Sequence, residues 1–578
     1  MRLLQRITFG RLGFFLLSAF TGLLVGTSTV VLIECVDFLQ GLLFGEPATD
    51  DPNQLNSRFS GWAVLLVPIL GGIVISVMLR LVPGQRFHGI PDVMEASALR
   101  AGRMDVRSGI TAAIATTLSL GTGAPLGREG PAVHIGASLT SWLAERFNLG
   151  RTQSLTLLGC AAAAAVTASF NTPIAGVIFA LEVVVGYYAL RVFAPVVIAA
   201  MGAVIVRHSV YGNRPEFTLP DYQIGSLWEL PAFALLGLVA AFIVQGFIYL
   251  VIFCRTGWEK ASAPVWIRPA FAGVLIGAMA LYYPLALGVG YEGTTLALNE
   301  NLPLALLAGL LLAKVLGGAV AIGSGTPGGV FSPALFIGAM LGGVYWYVAT
   351  AIVPAELSSQ GVYSVVGMAA IASAMLGAPI STLLIVFELT IDYDLIIAVM
   401  LAAAMASTFM QLMPHSSFFR WQLAERGINL NTGRDQGLLR TKTIDEFVTQ
   451  NFIRVEPGAT LTAVEASMYA HRRYIAVVVN DSEEFVGSLS TDELVAGVVN
   501  DRESICESAM NAAEHSIPHS TSLLAALQFL NELDTNYAPV TKTLDGTEEV
   551  VGVIYRSDVL KALYDMMRAA RSEEYGVN

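Results

Sequence analysis

A series of long apolar segments, separated by short polar or Gly- and Pro-rich stretches, constrains this chain most strongly. A helix needs about 20 apolar residues to cross a bilayer, and only helices or closed barrels satisfy their backbone groups there. The segments long enough to span or enter a bilayer are 12–43, 61–82, 108–120, 129–147, 152–168, 173–212, 227–254, 268–286, 303–322, 331–353, 361–376, 379–391 and 393–413. Several are too short for a full span, which is tolerated only where a helix lines a protein cavity. The sequence therefore predicts an all-α membrane domain of broken transmembrane helices.

The charged residues are unevenly distributed. From Thr441 to the end there are 10 Lys+Arg and 22 Asp+Glu, a net charge of −12, whereas the preceding part is neutral. We expect a membrane domain at 1–430, a linker at 431–440 and an acidic soluble tail at 441–578. An acidic tail argues against nucleic-acid binding, which requires a basic surface. The four cysteines are scattered without ligand spacing, so no disulfide framework or metal site is predicted.

One Gly- and Pro-rich loop occurs twice, 202 positions apart. Gly121 to Pro131 and Gly323 to Pro333 match at three Gly and two Pro, and each precedes or enters a long apolar segment. Such a loop leaves bare N–H groups at a helix N-terminus, which is a favourable place for an anion. Two copies predict a duplicated membrane protein with an anion site where the halves meet.

A second repeated pair supports the duplication. Pro173 is followed by Glu182, and Pro379 by Glu388, with the same nine-residue step. We expect these two glutamates to be structural, forming hydrogen bonds to helix starts or loops.

Loop charge indicates that the two halves are inverted. Five arginines surround the loop after the second apolar segment, whereas the corresponding region 269–313 contains no Lys or Arg. This bias predicts an inverted repeat with the arginine-rich loop in the cytoplasm. The five arginines are Arg80, Arg86, Arg100, Arg103 and Arg107.

The tail has an α/β pattern that also occurs twice. Each copy, at about 441–500 and 501–565, contains a helical stretch, an apolar strand and a short Gly-containing strand. The first copy has 475–479 followed by 486–489, and the second has 537–540 followed by 551–554. We expect the two copies to pack as one pseudo-symmetric domain.

Three short motifs give the membrane domain a family resemblance. GREGP at 127–131 and GVFSP at 329–333, with a partial third motif FHGIP at 87–91, resemble the CLC family of chloride channels and chloride/proton exchangers. The resemblance runs from about Leu12 to Gly427, and the tail resembles the paired CBS domains often attached to such proteins. It implies an inverted-repeat transporter rather than an enzyme. It also implies a homodimer with one pathway per subunit, placed in the cell membrane with its N-terminus and tail in the cytoplasm.

Glu129 is the predicted gate. A carboxylate at membrane depth is costly and is a functional candidate by default. When ionised it can occupy an anion site, and when protonated or displaced it can admit the anion. The resemblance gives Glu129 the role of gating glutamate. The alternative is a structural salt bridge with the adjacent Arg128.

Backbone groups of the two loops are predicted to bind the anion. N–H donors at a helix start can hold a dehydrated halide weakly enough to release it. The resemblance gives this role to Val330 and Phe331, and we place Gly329 and Gly130 in the same site. The Phe331 side chain can pack in the core while its N–H faces the ion.

Two substitutions alter the predicted inner part of the site. The family usually has Ser, or sometimes Pro, at the position of His88; imidazole can donate a hydrogen bond and can become charged near neutral pH. The alternative for His88 is an ordinary solvated loop residue, and Phe87 replaces the first Gly of that motif. The family's central Tyr aligns with Phe419, which has no donor. Selectivity between halide and nitrate therefore stays open.

A third substitution concerns protons. Many exchangers carry a second Glu directly after the residue that matches Glu182, and this chain has Val183 there. Valine cannot relay a proton. The protein is therefore either channel-like, with Glu129 only as a gate, or an exchanger whose protons reach Glu129 by water or another group.

The tail retains part of an adenine-nucleotide motif, Gly-x-x-Ser/Thr-x-x-Asp. The first copy has Ser490 but Glu493 in place of Asp, and the second has Asp558 but Tyr555 in place of the hydroxyl residue. Both interpretations stay open: nucleotide binding through Ser490 and Asp558, or a structural, dimer-stabilising role.

The sequence as a whole predicts transmembrane chloride transport through a glutamate-gated pathway. A channel-like mechanism, gated by voltage or pH, is favoured over a chloride/proton antiporter. A non-transporting membrane anion sensor is a third possibility, which the intact loops and Glu129 disfavour. Chloride and membrane lipid are the expected partners, and no cofactor is certain.

Overall fold

Among the described residues, seven helices are long and apolar enough to cross a membrane. The computed structural model describes residues 11–45, 61–213, 216–217, 220, 222, 224–299, 302–353, 357–390, 393–428, 443–480, 484–501, 504–512, 515–544 and 547–575. The chain divides into two units, Met1–Asn429 and Leu430–Asn578. The predicted linker at 431–440 lies outside the described residues.

The first unit is helical and repeats one order of helices. Its first half consists of α1 (Arg11–Phe44), α2 (Ala63–Leu81), α3 (Ile90–Leu99), α4 (Val106–Gly121), α5 (Glu129–Arg146), α6 (Arg151–Phe170), α7 (Pro173–Phe179) and α8 (Leu190–Tyr211). Its second half consists of α9 (Leu230–Lys260), α10 (Arg268–Ala280), α11 (Tyr291–Leu298), α12 (Leu304–Gly323), α13 (Phe331–Ile352), α14 (Gln360–Leu376), α15 (Pro379–Thr390) and α16 (Ile396–Leu412), followed by α17 (Phe418–Ala424). In both halves a short helix precedes the helix that leads into the Gly-rich loop.

The structure corrects two features of the predicted segments. The segment 173–212 is not one helix, because α7 continues as a π-helical stretch (Ala180–Val185) and stops at Gly186, whose φ of 80° is left-handed. Ala189 is extended, so α8 starts in a new direction. The short helices α3, α11 and α17 were not among the predicted segments.

The two halves are related by reciprocal contacts. The N–H of Gly127 donates to the carbonyl of Gly329 at 2.8 Å, and the N–H of Gly329 donates to the carbonyl of Gly127 at 2.7 Å. These two glycines are equivalent in the repeat. When two equivalent residues each donate a hydrogen bond to the other, the halves that carry them have a two-fold relationship. The duplicated loops therefore meet directly at the junction of the halves.

Glu182 and Glu388 form a second reciprocal contact. The Glu388 carboxylate accepts the N–H groups of Ile174 and Ala175, at 3.1 and 2.7 Å, at the start of α7. The Glu182 carboxylate accepts the N–H groups of Ile380 and Ser381, at 3.3 and 2.8 Å, at the start of α15, and also the Ser381 hydroxyl. The predicted hydrogen bonding to helix starts is confirmed: each glutamate caps a helix of the other half.

Glycines allow α13 and α14 to pack backbone to backbone. A Cβ at Gly342 would overlap the carbonyl of Tyr363, and one at Gly338 would overlap the carbonyl of Gly367. No side chain fits between the helices at these positions. The close packing fixes α13, whose first residues belong to the repeated loop.

The second unit contains two mixed sheets with flanking helices. Its elements are β1 (Ile453–Val455), α18 (Leu461–His471), β2 (Ile475–Val479), β3 (Phe485–Ser490), α19 (Thr491–Asn500), β4 (Asn511–Ala512), β5 (Ile517–Pro518), α20 (Leu523–Glu532), β6 (Tyr537–Leu544), β7 (Thr547–Tyr555) and α21 (Arg556–Tyr575). One sheet has the order β1-β2-β3-β4 and the other β5-β6-β7. In each, a parallel pair precedes an antiparallel one: β1 with β2 then β2 with β3, and β5 with β6 then β6 with β7. The predicted repeat of an α/β unit is confirmed.

Candidate functional site

The helices α5 and α13 start with the same local geometry. Proline is the third residue of each, and the first intrahelical bond runs from Ala132 to Arg128 in α5 and from Ala334 to Val330 in α13, both at 3.0 Å. The N–H groups before these bonds have no intrahelical acceptor. Two sets of N–H groups without an intrahelical acceptor therefore lie where the loops meet. The loops approach so closely that a Cβ on Gly130 would lie 3.3 Å from the Cα of Gly329.

The Glu129 carboxylate lies at the start of α13. Glu129 is fully buried. Its Oε2 accepts the Ser332 N–H at 3.4 Å, and its Oε1 accepts the Tyr291 hydroxyl at 3.2 Å and the Ser332 hydroxyl. A carboxylate from one half thus uses donors at a helix start of the other half, where a free anion would also bind.

The predicted alternative, a salt bridge between Glu129 and Arg128, is not what the described residues form. The Arg128 guanidinium lies 3.4 Å from a carboxylate oxygen of Glu216 and 3.8 Å from one of Asp37. It also lies over the Tyr291 ring, 5.1 Å from the centroid. Arg128 is therefore paired with other carboxylates and packs against the tyrosine that donates to Glu129.

Two cavities end on either side of Glu129. One, of about 620 Å³, is lined by Arg128 and by the turn from Leu287 to Tyr291, and we name it the tyrosine cavity. The other, of about 470 Å³, is lined by Gly130, by 323–330 and by four arginines, and we name it the arginine cavity. The arginines are Arg86, Arg255, Arg268 and Arg426. Glu129 lines neither cavity, but Arg128 and Tyr291 line the tyrosine cavity and Gly130 lines the arginine cavity.

His88 and Phe419 both line the arginine cavity, as do Gly329 and Val330. The structure thus brings every predicted anion-site residue to this cavity or next to it. Phe331 packs its ring against Phe170, 4.9 Å between centroids, so its side chain is in the core as expected. The structure does not test which of these residues touch an anion, so their roles stay predictions.

His88 is half-buried rather than freely solvated. Its Nδ1 lies 3.0 Å from the Ser108 hydroxyl, and its ring stacks on His134 at 5.6 Å with an interplanar angle of 11°. Burial lowers the pKa of the His88 imidazole; Asp92 opposes this in part, while three neighbouring arginines also disfavour a positive charge there. His88 is therefore neutral near pH 7 and takes up a proton only at more acidic pH.

Val183 is buried in the π-helical stretch after α7 and belongs to the main apolar core. Its side chain has no ionisable group.

The buried imidazole of His134 lies on α5, the helix that begins with Glu129. It is stacked on His88 and thus lies near the arginine cavity.

Three residues at this junction were missed by sequence reasoning: Ser332, Tyr291 and Lys314. Lys314 is fully buried, and its Nζ donates to the carbonyls of Ala286, Gly288 and Val289 at 3.0, 2.7 and 3.1 Å. These carbonyls belong to the turn that leads into Tyr291. A lysine within the apolar run 304–323 was the available signal, because a charge at membrane depth is a functional candidate.

In the second unit, Ser490 is used within the fold. Its hydroxyl caps α19 by accepting the Glu493 N–H at 3.4 Å, and its own N–H donates to Glu493 at 2.5 Å. The Glu493 carboxylate also accepts the Tyr537 hydroxyl at 3.1 Å and the Asn511 amide at 2.5 Å. Glu493 therefore joins the two α/β repeats. Asp558 lies in the first turn of α21 and is partly exposed.

Comparison with known proteins identifies the family. A family model described as voltage gated chloride channel matches residues 71–411, more than half of the chain. The chain belongs to the voltage-gated chloride channel (CLC) family. A CBS domain model matches the second unit twice, at 444–500 and 506–565. The protein is therefore a multi-pass membrane protein of a chloride-transporting family, with a CBS pair after its CLC domain.

Two relatives that are named as chloride channels match about two thirds of the chain. A putative chloride channel protein ClcB-like from Ralstonia nicotianae is 31% identical over 383 residues, 65% of this chain and 88% of the relative. The voltage-gated ClC-type chloride channel ClcB of Escherichia coli is 30% identical over 376 residues, 64% of this chain and 89% of the relative.

Two solved structures share the fold. A slow cyanobacterial Cl⁻/H⁺ antiporter has a TM-score of 0.62 at 19% identity and covers 72% of this chain and 97% of its own. A eukaryotic CLC transporter has a TM-score of 0.60 at 20% identity and covers 94% of this chain and 97% of its own. In the part of the chain that the structure describes, no group of three His, Cys, Asp or Glu side chains could hold a metal ion.

Proposed function

We propose that this CLC protein moves chloride between the tyrosine cavity and the arginine cavity, with Glu129 as the gate between them. The observation that carries the proposal is the position of the Glu129 carboxylate on the Ser332 N–H and hydroxyl at the start of α13. An ionised carboxylate there excludes a second anion by charge and by volume. Protonation or displacement frees the donors of Ser332, Phe331 and Val330 for chloride.

The arginine cavity suits an anion that waits beside the gate. Its four arginines are accompanied by three acidic residues, Asp92, Glu259 and Glu425, so its lining has a positive formal balance. Arg86 lies 2.6 Å from Asp92, and Arg426 lies 3.1 Å from the same carboxylate. The carboxylates partly neutralise the arginines, so the cavity attracts an anion only moderately. The anion can therefore leave as well as enter. We place this cavity and both termini on the cytoplasmic side, following the arginine-rich loop.

A channel-like mechanism is favoured by Val183, since a buried valine cannot carry protons at the position where many exchangers have Glu. Chloride/proton exchange is the second candidate. The stacked imidazoles of His88 and His134, beside the arginine cavity, support it, because imidazole is a group that can take up and release protons there.

Chloride efflux and internal pH measured together in liposomes separate these candidates. We expect chloride efflux that rises as the pH falls, without stoichiometric proton movement. Proton uptake coupled to chloride at a fixed ratio would establish exchange instead. No chloride flux at any pH or potential would contradict transport and favour a membrane anion sensor. The Glu129→Ala protein should retain flux and lose its pH dependence.

For the CBS pair we propose a structural role that joins its two repeats, carried by the Glu493 contacts with Tyr537 and Asn511. Adenine-nucleotide binding at Asp558 is the alternative, because that side chain is partly exposed at the start of α21. Thermal unfolding of the full chain with ATP or AMP distinguishes them. An unchanged unfolding temperature supports the structural role, and a nucleotide-dependent rise that Asp558→Ala removes would contradict it.

We also propose a homodimer with one pathway per subunit. The outer faces of α7, α8, α15 and α16 expose large apolar side chains beside the Glu182–Glu388 contacts, among them Ile174, Leu190, Ile380 and Met400. Such a face suits a second copy of the chain. Mass determination of the purified protein in detergent checks this, and a monomer that transports chloride at full rate would contradict it.

A further inference from the structure

A third cavity, of about 650 Å³, lies behind the loop that carries His88, and we name it the side cavity. It is lined by the end of α2, by residues 86–88, by parts of α3 and by the start of α4. Arg86, Phe87, His88 and Asp92 line both the side cavity and the arginine cavity. One thin segment of chain therefore separates the two, and a molecule in the side cavity would press on the wall of the proposed pathway.

The side cavity is lined by four arginines and by three acidic residues, Asp92, Glu95 and Asp105. Arg103 and Arg107 line it and are exposed, and neither has a carboxylate within ion-pair distance among the residues that the structure describes. Arg86 and Arg100, by contrast, are paired with Asp92 at 2.6 Å and Glu95 at 2.5 Å. Two unpaired guanidinium groups at the mouth of a cavity favour an anionic group, and planar guanidinium matches phosphate geometry.

A buried histidine among the lining residues of the side cavity has a polar atom without a partner. His134 lines this cavity and is almost fully buried, and its Nδ1 has no hydrogen-bond partner within the described ranges. Buried polar atoms are normally satisfied, and an unmatched one indicates a missing ligand or water. This observation is independent of the arginines and concerns a residue of the same cavity.

The other wall of the side cavity is apolar and continues into the lipid-facing surface. Met78, Leu81, Val82 and Pro83 line it, and Leu81 is 78% exposed. A stripe of exposed apolar residues at helical spacing runs along α2 to the cavity mouth and faces a shorter stripe on α4. The α2 residues are Leu66, Leu70, Val74, Val77 and Leu81, and the α4 residues are Ile110 and Ile114. A free phosphate would use the arginines alone, whereas a lipid uses both surfaces.

We propose that the side cavity binds an anionic phospholipid, with its phosphate on Arg103 and Arg107 and its acyl chains along α2 and α4. The bound lipid supports the His88 segment from behind and keeps the arginine cavity in its transporting shape. The binding site stands on the cavity and its lining, and its effect on flux rests on the proposed function.

Native mass spectrometry of the full chain in detergent, titrated with phosphatidylglycerol, tests the binding. The Arg103→Gln/Arg107→Gln protein should bind it roughly tenfold more weakly or worse, because each lost contact is a hydrogen bond between charged groups. Thr111→Trp, which fills the cavity without removing charge, should also weaken binding. Arg191→Gln, an exposed arginine outside the cavity, is the control and should bind normally.

Several outcomes would overturn the site. One is equal phosphatidylglycerol binding by the wild type and the three variants. Another is equal weakening by Arg191→Gln, which would mean that the lipid binds to general surface charge. Displacement of the lipid by millimolar glycerol 3-phosphate in the wild-type protein would assign the cavity to a soluble phosphate instead. Thermal unfolding temperatures equal to wild type verify that the Thr111→Trp and double-arginine proteins are folded.

Chloride efflux from vesicles of phosphatidylcholine, with and without phosphatidylglycerol, tests the consequence. Wild-type efflux should be about fivefold faster with the anionic lipid, at the lower end of the usual coupling between two sites. The double-arginine and Thr111→Trp proteins should show the slow rate in both vesicles. Equal wild-type rates in both would overturn the regulatory role, whereas absence of flux in every vesicle would contradict the proposed transport itself.

Discussion

At the scale of single residues, the proposed gating depends on the position of the Glu129 carboxylate. Burying an ionised carboxylate without partners is prohibitively costly, so its donors must be supplied by the fold. Ser332 and Tyr291 supply three of them to Glu129. Both residues belong to the second half of the chain, whereas Glu129 belongs to the first. The proposed gate is therefore held across the junction of the two halves.

Removing either donor should loosen the hold of the α13 start on Glu129, because the carboxylate loses at least one of its three hydrogen bonds. Ser332→Ala and Tyr291→Phe should each raise chloride flux at pH 8 by about tenfold, since a hydrogen bond to a charged group contributes about 1.5–3 kcal/mol. Flux assays across pH 4–9 measure this. Tyr345→Phe, whose ring does not contact Glu129, should leave the flux profile unchanged. Lower flux at pH 8 in both variants would contradict the proposed gate.

Lys314 should act on the gate through Tyr291. Its three carbonyl contacts hold the turn that ends at Tyr291, so Lys314→Met should loosen that turn and shift the flux profile in the direction of Tyr291→Phe. The double variant should show no further shift, since both changes remove the same contact. Lys314→Arg, which keeps the charge, should restore part of the wild-type profile. Additive shifts would mean that Lys314 acts by its charge alone.

At the scale of helices, the position of the α13 start depends on close packing along its length. Gly342→Leu would force a side chain into the carbonyl of Tyr363 on α14. Overpacking of this kind costs about 1–3 kcal/mol or more. We expect a lower unfolding temperature and a loss of chloride flux. Gly246→Leu is the matched control, because nothing lies within 4 Å of that position and it is exposed on α9.

The reciprocal glutamates give a second prediction for helices. Glu182→Gln and Glu388→Gln each remove a charge from a helix start but keep a side-chain acceptor, so each should reduce the free energy of unfolding by about 1 kcal/mol. Chemical unfolding in detergent measures this. Chloride flux and any proton movement should stay at wild-type levels in both. If Glu182→Gln alone abolished proton movement, Glu182 would be a proton carrier and not a cap.

Sequence reasoning located the residues of the junction that lie within continuous motifs. Glu129, Gly130, Val330 and Phe331 could be placed there because loop and helix start are adjacent in the chain, whereas their roles in gating and anion binding stay predictions. Tyr291 was missed because it reaches Glu129 only through tertiary packing, 162 positions away, on a helix too short to give a periodic signal. The end of α7 was also missed, because the run 173–212 is mostly apolar and Gly186 is only one of several glycines in it.

At the scale of the whole membrane unit, duplication accounts for the central junction of the proposed pathway and for its asymmetry. The paired Gly127 and Gly329 keep the two-fold relationship at the centre, and the reciprocal glutamates keep it at the periphery. The residues next to the central pair have diverged, with a carboxylate at the start of α5 and apolar side chains at the start of α13. One copy of the loop therefore supplies the proposed gate, and the other supplies the donors that its carboxylate occupies.

Anomalous diffraction from crystals grown in bromide tests the central claim most directly. In the Glu129→Gln protein, whose neutral side chain no longer competes, we predict a bromide peak within hydrogen-bond distance of the Ser332 and Phe331 N–H groups. The wild-type protein at pH 8 should show no bromide there, because the carboxylate occupies the position. A peak in the wild type with its carboxylate still on Ser332, or none in either protein, would contradict the account.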